Sequence, residues 1–149
     1  MNLHIDGCCI NNGTPFAKAG WGIIIEKTQK EEYFGKLRVG KQTNSRAEIE
    51  ALNKALELIM KLEDQSYIIY TDSKNVVDWA TGNSERKSNL DIWTDIENLV
   101  NKISEQKKNV FIKHVNKKEL SADNELVINN KLADKLANKG AKALLEELR

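Results

Sequence analysis

The sequence predicts an α/β fold: a mixed five-stranded sheet, its first three strands antiparallel, with helices on both faces, in the order βββαβααβα. Three observations predict it. The first forty residues carry short apolar runs parted by turn signals, as in a meander. From residue 45 the apolar residues change to three-and-four spacing. Compact β runs then alternate with helical patterns to the end of the chain.

The elements follow in order. Leu3 to Cys9 is a short apolar stretch, and Asn11-Asn12-Gly13 is a turn signal. Trp21 to Ile25 is a second β run, and Tyr33 to Val39 alternates as a third. From Ser45 to Leu62, Ala47, Ala51, Ala55, Leu58 and Leu62 mark one face of an amphipathic helix. Thr43, Asn44 or Ser45 can cap it, and Ser45 with Glu48 spells a capping box. Tyr67 to Thr71 is a compact strand; Asp72 and Ser73 open a short helix ending near Thr81-Gly82. After a polar loop at 83–88, Asn89 to Ile103 is a helix carrying Leu90, Trp93, Ile96, Leu99 and Val100. Val110 to Val115 is the fifth strand, 116–128 a longer loop, and Lys131 to Leu148 the last helix.

The 149 residues fit one domain over 1–149, with a lone proline and no repeat or linker to divide them. Hydrophobic residues are 40% and charged residues 30%, which fits a modest core under a heavily charged surface. No apolar run approaches the ~20 residues of a membrane helix, so no membrane partner is expected. The start lacks the basic and apolar regions of a signal peptide. Cys8 and Cys9 are adjacent, so in a strand they point to opposite faces and cannot form an ordinary disulfide. Small buried thiols in a reducing, cytoplasmic setting are the expected reading. The balance of 23 Lys plus Arg against 22 Asp plus Glu argues against coating nucleic acid by bulk charge.

Four carboxylates stand in unusual places. Asp6 interrupts the apolar first strand, on the face of His4 and Cys8, where an unpaired carboxylate is costly. Asp72 follows directly on a β run. Glu48 lies early in its helix at the edge of the apolar stripe, and Asp134 is placed in the first turn of the last helix. Taken singly, Asp72 reads as an N-cap, Glu48 as half of a capping box and Asp134 as a complement to the helix dipole. Asp6 is hardest to dismiss. In open α/β sheets sites form beyond the strand ends, where Asp6, Asp72 and a helix-borne Glu48 can meet. Crowded carboxylates must hold protons or cations, and an all-oxygen set suits Mg²⁺ or Mn²⁺. Two such ions serve in-line displacement at phosphorus.

With these residues in view the chain resembles type 1 ribonuclease H nearly end to end. The pieces run in order: Asp6-Gly7, Asn11-Asn12-Gly13, Gly20-Trp21-Gly22, Thr43-Asn44-Ser45-Arg46-Ala47-Glu48 and Tyr70-Thr71-Asp72-Ser73. Asn89-Leu90-Asp91-Ile92-Trp93 follows, then Asn130 with Ala133-Asp134-Lys135-Leu136-Ala137. The resemblance implies an endonuclease that hydrolyses the RNA strand of RNA–DNA hybrids by two-metal-ion activation of water. The implied ends are 5′-phosphate and 3′-hydroxyl. It implies Asp6, Glu48, Asp72 and Asp134 as catalytic, metal-holding carboxylates with two Mg²⁺ per site, Mn²⁺ as substitute. By the same resemblance Asn12 and Asn44 contact the RNA strand, and Thr43 lies near a DNA-strand phosphate. A hybrid substrate, a monomer and no obligate protein partner are expected. The alternative is an inactive domain of the same fold that binds hybrid or a protein; a third reading is a related nuclease acting on double-stranded RNA or on DNA.

Two departures from the family pattern stand out. The family's loop histidine before the last helix is missing; Lys117 or Lys118 stands near that place, and His114 lies within a strand, where local packing is expected. The basic protrusion between the central helices is missing too, since Arg86 and Lys87 are too few to make it. With Met1 opening the first strand, a free-standing protein without a separate hybrid-binding module is expected. The lysine-rich strip 107–118 offers Lys113, Lys117 and Lys118 as backbone contacts. Binding is therefore expected to be weak without metal and to fall readily with salt.

Overall fold

The computed structural model describes residues 1–143. Strands β1 (Asn2–Ile10), β2 (Lys18–Ile25) and β3 (Glu31–Lys36) form an antiparallel meander. The chain continues through α1 (Asn44–Lys61), β4 (Ser66–Thr71), α2 (Lys74–Thr81), α3 (Leu90–Glu105), β5 (Asn109–His114) and α4 (Glu125–Lys142). β4 joins β1 in parallel and β5 joins β4 in parallel, giving the order β3-β2-β1-β4-β5. The expected architecture is the observed one.

Strand parity divides the core between two faces. Leu3, Ile5, Ile23, Ile25, Tyr67 and Ile69 pack with Ala47, Ala51, Ala55 and Ile59 of α1 and with Trp93 and Ile96 of α3. On the other face Ile24 meets Ala133 and Leu136 of α4. That second layer is thin because β2 offers glycines there. A Cβ on Gly22 would stand 2.4 Å from the Ala133 carbonyl oxygen, and one on Gly20 2.2 Å from the Ala141 nitrogen. The two bare positions let α4 lie directly on the sheet.

Ion pairs fasten the helices. The Arg46 fork donates to Asp91 at 2.9 and 2.7 Å, tying the start of α1 to the start of α3. Arg38 donates to the buried Glu50 of α1 and to Asp95 of α3, at 2.9 and 2.8 Å. Lys108 donates to the carbonyls of Ile59 and Leu62 at 2.8 and 2.6 Å, closing the C-terminus of α1. That task withdraws Lys108 from the expected basic strip. At the far end of the sheet β5 has, among the described residues, only β4 as neighbour, and Phe111 stands 57% exposed upon it.

Several local expectations are corrected. α4 begins at Glu125, not Lys131, capped by the Asn124 side chain, which accepts from the Leu126 N–H. Asp134 therefore lies in its third turn, not its first. The expected helical residues 144–148 lie outside the described residues. The Ser45–Glu48 capping box does not form: Thr43 is the N-cap, its hydroxyl accepting from the Arg46 N–H at 3.1 Å, and Ser45 lies inside α1. Ser73, not Asp72, caps α2. The third strand stops at Lys36, leaving Val39 outside it and exposed. On α3 the buried stripe is Ile92, Trp93, Ile96 and Ile103, while Leu90 and Val100 face outward. Cys8 and Cys9 are free and only half-buried.

Candidate active site

Three of the four expected carboxylates converge at one end of the sheet, and the fourth adjoins them. Asp6 is buried in the middle of β1, 7% exposed. Tyr70 pairs with His4 across the parallel β1–β4 junction, so two residues on Asp72 leaves β4 at the level of Asp6. Across the antiparallel junction Asp6 pairs with Gly22. Gly22 is the place where α4 touches the sheet, at Ala133 and Ala137, so Asp134 arrives on the same face as Asp6. Glu48 comes from the other side. A Cβ on Gly7 would meet the Glu48 nitrogen at 2.3 Å. The glycines of the Asp-Gly and Gly-Trp-Gly pieces thus set the approach of both helices to the strand that bears Asp6.

The electrostatics follow from this crowding. Burial, then the charges of Asp72 and Asp134, push the Asp6 carboxyl up to about 9, against a donated Gly7 N–H at 3.0 Å. Burial raises Glu48 above the ordinary carboxylate range; a hydrogen bond from Ser73 pulls it down, and Asp72 pushes it further up. Lys117, from the loop between β5 and α4, stands 2.9 Å from Asp72 Oδ2. Asp72, Asp6 and Asp134 all hold its ammonium in the charged form. His114, exposed on β5, places Nε2 3.2 Å from the Asp72 carbonyl oxygen.

This donor set fits hard divalent cations in chemistry: four carboxylates, with Asp6 kept protonated by burial and by the charges of Asp72 and Asp134. Among the described residues no three His, Cys, Asp or Glu side chains surround a common point. Asp72 instead turns to Lys117.

The other expected site residues flank this cluster. Asn44 Oδ1 accepts from the Cys9 N–H at 2.8 Å, and Asn12 Oδ1 accepts from the Asn44 N–H at 3.4 Å. These bonds engage both amide oxygens and leave both NH₂ groups directed elsewhere. Thr43 sits between them and the Arg46–Asp91 clamp. Lys118 is exposed beside Lys117. Lys113 is exposed on β5 and borders a separate apolar groove formed by Leu56, Ile96, Val100 and Ile112. Sequence reasoning missed three partners: Ser73 for Glu48, Asn138 for Cys8 at 3.3 Å, and Lys117 as the counter-charge of Asp72. Only the last left a trace, in its nearness to the missing loop histidine.

The comparisons agree with the fold. The family model described as RNase H matches residues 1–142. A ribonuclease H of Methylobacillus flagellatus is 31% identical over 160 aligned residues, covering 97% of this chain and 93% of that protein. One from Saccharomyces cerevisiae is 41% identical over 81 residues, covering 51% of this chain. The chain spans only 23% of that yeast protein and 29% of human ribonuclease H1. Among solved structures, LC11-RNase H1 in complex with RNA/DNA hybrid superposes at a TM-score of 0.71 with 22% identity over 99% of both chains. RNase H1 of Halobacterium salinarum superposes at 0.66 with 22% identity, over 93% of this chain and 95% of that one. Matched in sequence along nearly its whole length, the chain belongs to the ribonuclease H family.

Proposed function

We propose that the chain is an endonuclease that hydrolyses the RNA strand of RNA–DNA hybrids, leaving 5′-phosphate and 3′-hydroxyl ends. The observation that carries the reading is the convergence of Asp6, Asp72 and Asp134, with Asp6 held protonated by burial and then by the charges of its neighbours. A buried acid this crowded is stable only with a proton or a cation beside it. Asp6, Glu48, Asp72 and Asp134 would hold Mg²⁺, two ions per site, or Mn²⁺ in its place. When bound, such ions supply charge neutralisation and a deprotonated water at neutral pH.

The chain's own residues do the rest. Asp6 on β1 and Asp72, just past the end of the neighbouring parallel β4, fix the floor of the site. Asp134 on α4 and Glu48 on α1 close it from opposite faces of the sheet. Ser73, the cap of α2, stands beside Glu48 and favours its ionised form. The free amide NH₂ groups of Asn12 and Asn44 are suited to donate to a ribose 2′-oxygen, the atom that separates RNA from DNA locally. Thr43 accepts from the helix with one lone pair and retains its own proton for a strand phosphate. Exposed Lys118 and Lys113 would add sequence-independent contacts to the backbone. The whole described chain then acts as one catalytic domain, in a monomer.

The test is cleavage of a labelled hybrid by purified protein with Mg²⁺. The hybrid should be cut while the matching DNA duplex and RNA duplex stay intact. Asp72→Asn should lower the rate by about 10²–10³-fold, the scale of losing a charge-stabilising group at a reacting centre, with unchanged circular dichroism. Normal cleavage by Asp72→Asn overturns the reading, and hybrid binding without cleavage by the unaltered chain makes it a binding module instead.

A further inference from the structure

We propose that Lys117 is a tethered counter-ion of the carboxylate site: its ammonium occupies a cation's place beside Asp72 and is exchanged for a divalent ion when one binds. The inference rests on the reading of the four acids as a cation site, and adds to it a second position for the Lys117 side chain.

The geometry supplies the argument. Lys117 Nζ lies 2.9 Å from Asp72 Oδ2, the separation of a direct ion pair. The fields of Asp6 and Asp134 reach the same ammonium, so its charge faces three of the four acids. Among the described residues it is the one cation paired with any of those acids. Its side chain is 46% exposed, against 21% for Asp72. The lysine therefore reaches into the site from solvent and can withdraw without unpacking a core. The loop is organised next to it. The Lys118 N–H donates to Asn116 Oδ1 and the Glu119 N–H to the Asn116 carbonyl, each at 3.1 Å. That local turn anchors the backbone while leaving the Lys117 stem as the moving part.

One positive charge cannot balance this set. An arriving divalent ion brings twice the charge and wins the exchange, but it must first break the Lys117–Asp72 pair. Lys117 thereby weakens apparent cation affinity while keeping the metal-free acids from repelling one another. Once released, the ammonium remains on a short tether beside the place where substrate phosphate would arrive.

The experiment measures Mn²⁺ binding to the intact chain by the electron paramagnetic resonance signal of free ion, at low salt, without substrate. Lys117→Gln should bind Mn²⁺ about fivefold more tightly, the size of one exposed ion pair. Lys117→Arg should stay near the unaltered chain. Lys102→Gln on α3, across the sheet, should change nothing. In chelator, Lys117→Gln should melt at lower temperature than Lys102→Gln, because its acids lose their counter-charge. Equal or weaker Mn²⁺ binding by Lys117→Gln, with binding still abolished by Asp72→Asn, overturns the inference and leaves the cation site standing. Mn²⁺ binding that is absent, or indifferent to Asp72→Asn, overturns the cation site itself.

Discussion

Asp6 ionises against its surroundings. An unfolded aspartate titrates near about 3.9, and in the fold burial together with Asp72 and Asp134 pushes Asp6 up to about 9. Between those values the folded chain retains a proton that the unfolded chain has released. Stability of the metal-free protein must therefore fall as pH rises through that window. Asp6→Asn cannot ionise and escapes the loss. Thermal melts in chelator from about pH 5 to about pH 9 should slope downward for the unaltered chain and much less for Asp6→Asn. Parallel slopes would place the loss in other groups. Asp6 was legible in the sequence because a charge in an apolar strand violates the pattern around it. The pairing of Lys117 with Asp72 was not, because it depends on the path of a loop that carries no periodic signal.

At the scale of elements, two helices are set against β1 and β2 by missing side chains. Gly22→Ala would place a Cβ 2.4 Å from the Ala133 carbonyl oxygen and 2.6 Å from the Ala137 nitrogen. Those are backbone atoms of α4 and cannot swing aside, so the helix must shift. A loss of about 2 kcal/mol is expected from overpacking, read from the denaturant midpoint. Hybrid cleavage should fall further than stability alone explains, because Asp134 rides on α4. The long periodic helices were readable from spacing, but the start of α4 was not. Asn129 and Asn130 are fully buried where the helical pattern calls for apolar residues. Asn129 is accommodated by a hydrogen bond to Glu26 at 2.7 Å, a partner more than a hundred residues away in sequence. The capping box at Ser45 failed for a related reason. Thr43 already held the cap, and Glu48 turned toward Ser73 and the acids.

Across the whole molecule, a net charge of +1 conceals a strong separation of charge. Acids gather where β1, β4, α1 and α4 meet, while Lys107, Lys113 and Lys118 stand exposed along 107–118. The order of elements was legible because each strand and helix advertises its own period. The convergence of acids drawn from residues 6 to 134 could be inferred only through motif order, since no local rule links them. The same distribution bears on how copies of the chain behave in concentrated solution. Among the described residues β5 ends the sheet with one side unpaired, and Phe111 lies open upon it. Such an edge invites strand-to-strand association between molecules. Lys107 and Lys113 bracket it with like charge, which keeps two edges apart only while that charge is unscreened. Raising salt to about 1 M, where screening acts within ~3 Å, should increase light scattering of the concentrated protein. Phe111→Lys should hold the scattering flat. Association through this edge is thus under electrostatic control, released in the buffers that usually protect proteins from nonspecific ionic contacts.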